Sequence, residues 1–143
     1  MAEERMAIGR VSAIFVVSGG SSLAPRLDRA LRGEPDLAIS GAANTVADAL
    51  ETILQLKPDL LLVELSPDGF PGVEAIREFR DARPRMKLLA RSGTAAPRYA
   101  QQVIDAGADG YILRSDGMRQ LIQAMRDVLG GHLYVSDRVI EGE

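Results

Sequence analysis

The chain has 143 residues, of which 46% are apolar and 26% charged, and its net charge is −3. That length suffices for one domain with a buried core, and the mixed, mildly acidic charge argues against broad electrostatic binding to nucleic acid or anionic membrane. With no cysteine and His132 as its single histidine, the chain is excluded from disulfide frameworks, thiolate metal sites, cysteine nucleophiles and histidine-cluster metal sites.

No apolar run approaches the ~18 residues of a membrane span, and the N-terminus Met1-Ala-Glu-Glu-Arg lacks a signal peptide's apolar core, so a cytoplasmic location is expected. Five short apolar runs follow along the chain, at residues 11–17, 37–40, 59–65, 86–90 and 110–113. Most are near-continuous rather than alternating, the pattern of parallel strands covered on both faces. Between them lie segments with helical spacing. Leu23, Leu27 and Leu31 recur every four residues, as do Val46, Leu50, Ile53 and Leu54. Val73, Ile76 and Phe79 form a third stripe and Tyr99 with Val103 a fourth. Leu121, Ile122, Met125, Val128 and Leu129 form the fifth.

Local punctuation agrees with this division. Thr45-x-x-Asp48 reads as a capping box, Gly33 and Gly107 stand where helices should stop, and Ser115 or Asp116 is placed to cap the last helix. Pro25 requires the first helix to begin near Ser22, because proline is tolerated only in an opening turn. Strand and helix alternate five times, which predicts an α/β fold: a (βα)5 doubly wound, five-stranded parallel sheet in a three-layer sandwich with right-handed crossovers. Residues 1–9 and the tail from about Ser136 read as loose ends, leaving 10–135 as the folded unit and 136–143 as a tail or the start of a linker.

In such a sheet, ligands bind where strands end and helices begin. Four loops lie there, carrying Ser18-Gly19-Gly20, Glu64-Leu65-Ser66-Pro67-Asp68-Gly69, Ser92-Gly93-Thr94 and Arg114-Ser115. One carboxylate, one hydroxyl and one guanidinium are thereby directed toward a common crevice.

Three stretches carry a family resemblance: "DAGADGYILRSD" at 105–116, "KPDLLLVELSPDGFPGVEAIREFR" at 57–80 and "GGHLYVSDRV" at 130–139. The chain resembles the receiver domain of two-component response regulators, in particular the NarL/FixJ type, over roughly residues 10–135, and the last stretch is similar to the start of a segment leading into a helix-turn-helix domain. The resemblance implies a signalling domain, not an enzyme of its own substrate. In a working receiver, an aspartate ending strand three accepts a phosphoryl group from a histidine kinase. Two acids after strand one join it in holding Mg²⁺, and a Ser or Thr after strand four and a Lys after strand five hold the phosphoryl oxygens, offsetting the charge spread over them.

This chain departs from that pattern at most positions. The acid pair falls on Ser18 and Gly19, the phosphoacceptor position is Glu64 and the lysine position is Arg114. Ser92 fits as it stands, and Tyr111 lies where receivers keep the aromatic that swings during switching. With a single carboxylate at the strand ends, Mg²⁺ binding is expected to be weak or absent. Glu64 either places a negative charge near where an acyl phosphate would sit, reaching toward Ser92 and Arg114, or is neutralised in an inert pocket. Arg114 reads either as an anion binder or, the favoured reading, as the partner of Glu64, which its fork suits for bidentate pairing, with Arg91 and Arg98 close enough in sequence to compete.

The Gly19-Gly20 loop reads either as an anion nest for a phosphate or nucleotide or as a turn that replaced the acids. Asp68 belongs to turn chemistry in "SPDG" or stands in as an acid. Asp59 is assigned to the opposite end of the sheet, and His132 to a surface or helix-end role. The expected partners are a second copy or an output domain on the face of the fourth helix, fifth strand and fifth helix, and a histidine kinase or other signalling protein. The chain itself is not expected to bind nucleic acid or membrane. It is either a fragment of a DNA-binding regulator or a stand-alone pseudo-receiver.

Overall fold

Strand β1 (Ser12–Val17) lies at the centre of one half of a parallel sheet in the computed structural model of the chain, which describes residues 10–20, 22–66 and 71–141. The other strands are β2 (Leu37–Ala43), β3 (Leu60–Glu64), β4 (Lys87–Ser92), β5 (Gly110–Leu113) and a short β6 (Tyr134–Val135), in the spatial order β2-β1-β3-β4-β5-β6. Helices α1 (Leu23–Ala30), α2 (Val46–Leu56), α3 (Val73–Ala82), α4 (Pro97–Ala106), α5 (Gly117–Leu129) and α6 (Asp137–Glu141) connect and follow them. The predicted doubly wound sheet is thus present, with β6 as an addition at its edge.

The near-continuous apolar strands are explained by two cores, one on each face. Odd-numbered residues of β1 and β3 and even-numbered residues of β4, among them Phe15, Val17, Leu61, Val63, Leu88 and Ala90, pack with α2, α3 and α4 through Ile53, Phe79 and Val103. Their neighbours Ile14, Val16, Leu60, Leu62, Leu89 and Ile112 pack with α1 and α5 through Leu23, Leu27, Leu121, Met125 and Val128. Leu54 of the α2 stripe is the exception, 53% exposed.

Local signals set the helix ends. The Thr45 hydroxyl accepts the Asp48 N–H at 3.1 Å, α1 starts after Ser22 with Pro25 in its first turn, and α4 ends at Gly107, whose φ of +127° suits glycine. Asp116 precedes α5, yet its carboxylate accepts the N–H of Leu113 at 3.0 Å instead of capping the helix by its side chain.

Two differences from the sequence reading have physical causes. β2 runs three residues past Ser40, because Gly41, Ala42 and Ala43 pair with Phe15, Val16 and Val17 after a register shift. A side chain at Gly41 would come within 2.8 Å of the Phe15 ring, so small residues that look like a turn are needed for the strand to pass. The segment from Ser136, read as a loose tail, continues as α6, with Val139 only 3% exposed against the core. Five residues with one apolar anchor carry too little periodicity to be read as a helix.

Candidate functional site

The carboxyl ends of β1, β3, β4 and β5 stand side by side, and the loops named from sequence leave from them. Ser18 is buried and donates its N–H to the Ala43 carbonyl at 3.1 Å, while Gly19 is exposed and Gly20 takes a φ of +96° open only to glycine without strain. Glu64 closes β3, Ser92 closes β4, and Arg114 follows β5. Parallel pairing sets Glu64 opposite Arg91 and Ser92 opposite Leu113.

This register decides the partner of Glu64. Arg91 Nη1 donates to Glu64 Oε2, and the two side chains are only 4% and 9% exposed. Arg114 Nε stands 3.8 Å from the same oxygen with its side chain 52% exposed. The expectation that Arg114 neutralises Glu64 is therefore corrected: Arg91 is the primary partner and Arg114 a looser second one. Arg91 also reaches the Arg114 carbonyl through Nη2 at 3.5 Å, which ties β4 to the end of β5. Arg98, the other competitor, is exposed in the first turn of α4.

Burial is the largest influence on Arg91, lowering its pKa from the ordinary arginine value; attraction to Glu64 opposes this, and repulsion from Arg114 adds to it. The signal available in the sequence was an arginine inside the apolar run "KLLARS", since arginine is seldom fully buried without a partner.

Ser92 and Tyr111 both meet the backbone of Thr94. Ser92 Oγ is buried and accepts the N–H of Thr94 at 3.2 Å. Tyr111 is 0% exposed and donates its hydroxyl to the Thr94 carbonyl at 2.6 Å. Its ring meets Tyr99 edge-on, with centroids 6.3 Å apart and planes at 74°. Burial raises the Tyr111 pKa, and a hydrogen bond with Ser92 works against that rise. Thr94, named from sequence as part of the loop after the fourth strand, and Tyr99, read there only as part of a helical stripe, thus both belong to this half of the site. The Tyr99 hydroxyl is buried with no hydrogen-bond partner among the described residues.

The remaining candidates fall elsewhere. Asp59 lies at the amino end of β3, accepting the Ala13 N–H at 2.7 Å, so it is remote from the strand-end crevice as expected. His132 is exposed beyond α5 and donates its N–H to the Asp127 carbonyl at 2.9 Å. Asp68 lies outside the described residues.

The described donors do not fit a divalent cation. Mg²⁺ takes a near-octahedral oxygen shell supplied by carboxylates and water. Among the described residues here, one carboxylate is held by two guanidiniums, and this cluster carries surplus positive charge that repels a cation. Among the described residues no group of three His, Asp or Glu is placed to hold a metal.

A parallel 2-1-3-4-5 sheet with a polar crevice at the strand ends defines a receiver-like α/β domain. The response regulator receiver domain family matches residues 14–126, and the chain belongs to that family. It is 27% identical over 128 residues to the response regulator GacA of Pseudomonas aeruginosa, covering 90% of this chain and 60% of that protein. It is 28% identical over 128 residues to the transcriptional regulatory protein DesR of Bacillus subtilis, covering 90% and 63%. The chain therefore spans about 60% of the length of these curated relatives. A LuxR-family two-component response regulator from Aurantimonas sp. SI85-9A1 shares the fold, with a TM-score of 0.84 at 23% identity over 92% of this chain and 94% of that one. The protein is a signalling receiver domain and not a classical enzyme. No helix among the described residues is long and apolar enough to cross a membrane.

Proposed function

We propose that this receiver domain signals without phosphorylation of Glu64, as the interaction module of a NarL/LuxR-type transcriptional regulator whose DNA-binding part lies outside this chain. The observation that carries the reading is the buried Glu64–Arg91 ion pair at the position where a receiver holds its phosphoacceptor. A nucleophilic carboxylate must present a free oxygen in line with the donor phosphorus. Glu64 has its Oε2 held by a guanidinium built into the neighbouring strand and approached by a second, which fixes the carboxylate and offsets its charge, and no group of three acids or histidines among the described residues is placed to recruit a metal. Ser18 and Gly19 occupy the acid positions, Ser92 and Arg114 the phosphate-contact positions, and Tyr111 the switch position, held inward by Thr94.

In this reading the partners are a second copy, an output domain or a kinase-like signalling protein that recognises the surface of the receiver unit. The surplus positive charge around Arg114 favours one alternative, an anion sensor using Arg114 and the Gly19-Gly20 loop.

The test is backbone NMR of the chain with Mg²⁺ plus beryllofluoride, and separately with inorganic phosphate. The expected outcome is unmoved amides at Ser18, Gly19, Glu64, Ser92, Tyr111 and Arg114 under both conditions. Shifts with Mg²⁺ and beryllofluoride that reach Tyr111 would mark a phosphoswitch and overturn the proposal. Shifts at Gly19, Gly20 and Arg114 with phosphate alone would replace it with the anion sensor.

A further inference from the structure

The amino ends of the strands, opposite the crevice, carry a continuous groove. Three clefts adjoin there, with volumes of about 270, 330 and 160 Å³. The first two share Pro84 and Arg85 as walls, and the second and third share Lys87 and Asp109. The groove thus runs from the turn before β4, past the start of β5, to Leu133 just before β6. Its backbone is braced by Arg80, which donates to the carbonyls of Arg83, Pro84, Met86 and Gly107 and to the Asp109 carboxylate.

Charge along this groove is one-sided. Arg83, Arg85 and Lys87 line it, and none of them has an ion-pair partner among the described residues. Asp109 is the one acid in its walls among those residues, and Arg80 and the Leu88 N–H already hold that carboxylate. Three cations without partners thus gather in one groove of a chain whose net charge is −3. The two ends of the groove are apolar, with Pro84 exposed at one and Leu133 65% exposed at the other.

We propose that this groove docks an acidic segment of a partner protein, with carboxylates on Arg83, Arg85 and Lys87 and an apolar side chain on Leu133. Charge complementarity selects an anionic occupant, and the apolar ends select a peptide over a nucleic-acid backbone, which repeats a charge at every step and has nothing to set on Leu133. From β4 to β6 is two strand spacings, about 10 Å, a distance that about three extended residues span. The proposal rests on the reading of this chain as an interaction module and gives the chemistry of one partner. It is independent of how Glu64 behaves, because that residue lies at the other end of the sheet.

The test is a backbone NMR titration of the full chain with a short peptide of glutamates flanked by leucines. A matched peptide with lysine in place of glutamate and a short DNA duplex are run beside it. The acidic peptide is expected to shift the amides of Arg85, Lys87, Gly131 and Leu133 and to leave Ser18, Glu64 and Ser92 in place. R85Q/K87Q should weaken its binding about fivefold, and added salt should weaken it further. Unmoved amides in the groove, equal shifts with the lysine peptide, or undiminished binding to R85Q/K87Q overturns the proposal. Stronger binding of the duplex at equal charge concentration also overturns it and assigns the groove to nucleic acid. If R85Q/K87Q does not fold, R85Q alone decides on the same readouts, since Arg85 is exposed and outside the strands.

Discussion

Glu64 and Arg91 are side chains that water would normally keep apart from a core, and here they are buried together. Removing two charges from water costs several kcal/mol each, which their attraction recovers only with good geometry, so such a pair contributes more to specificity of arrangement than to stability. Two variants separate these effects. R91M leaves the buried Glu64 carboxylate with only the looser, half-exposed Arg114 beside it and is expected to lower stability by about 3 kcal/mol in urea unfolding. The double variant E64L/R91M removes both charges and is expected to return to within about 1 kcal/mol of the parent, or to exceed it. A double variant as unstable as R91M would show that the pair holds the strand ends together by more than mutual neutralisation. Tyr99 is the opposite case, a buried hydroxyl without a partner among the described residues, which costs about 1–3 kcal/mol.

At the scale of elements, Arg80 joins the end of α3 to the end of α4. Its Nε and Nη2 donate to the Gly107 carbonyl at 2.9 and 2.7 Å, and Nη1 reaches the Arg83 and Pro84 carbonyls at 3.3 and 3.0 Å. Nη2 also meets Asp109 Oδ2 at 2.8 Å, and that oxygen accepts the Leu88 N–H at 2.9 Å. Helices leave their last carbonyls without intrahelical partners and carry partial negative charge there, and one guanidinium satisfies several such groups from two helices. R80M is expected to cost about 2–4 kcal/mol in chemical unfolding. R80K should recover little of it, because an ammonium lacks the planar fork. A loss below about 0.5 kcal/mol would place Arg80 among ordinary surface residues.

Across the whole molecule, α5 is anchored to the start of β2 by Arg126, which pairs with Glu34 and with Asp36 at 2.9 Å although 90 residues separate Arg126 from Asp36. The Arg126 hydrogen bond lowers the Asp36 pKa below its ordinary value, with burial opposing. A carboxylate whose folded pKa is depressed contributes stability above its unfolded pKa, and that contribution is lost as pH falls through the lower folded value. R126Q should therefore lower the melting temperature slightly at pH 7, and the difference from the parent should shrink towards pH 2 as the pH falls through the lowered folded value. The effect at pH 7 is modest, about 1 kcal/mol or less, because these side chains are partly exposed. An equal loss at both pH values would mean that Arg126 acts through its aliphatic stem.

Much of this molecule was already determined by its sequence. Each strand and helix of the doubly wound sheet announces itself through apolar spacing and end signals, such as Thr45 with Asp48 or Pro25 after Ser22, which depend only on residues a few positions apart. The residue types at the strand ends are equally local facts, so Ser18, Gly19, Glu64, Ser92 and Arg114 could be read directly as the residues that end the strands or follow them. Tertiary structure decided which of them meet. Arg91 takes Glu64 because parallel pairing of β3 with β4 sets the two opposite each other, whereas Arg114 lies one strand further and half in water. Register, burial and the docking of 134–141 against β5 arise from contacts between distant parts of the chain, which no local pattern encodes.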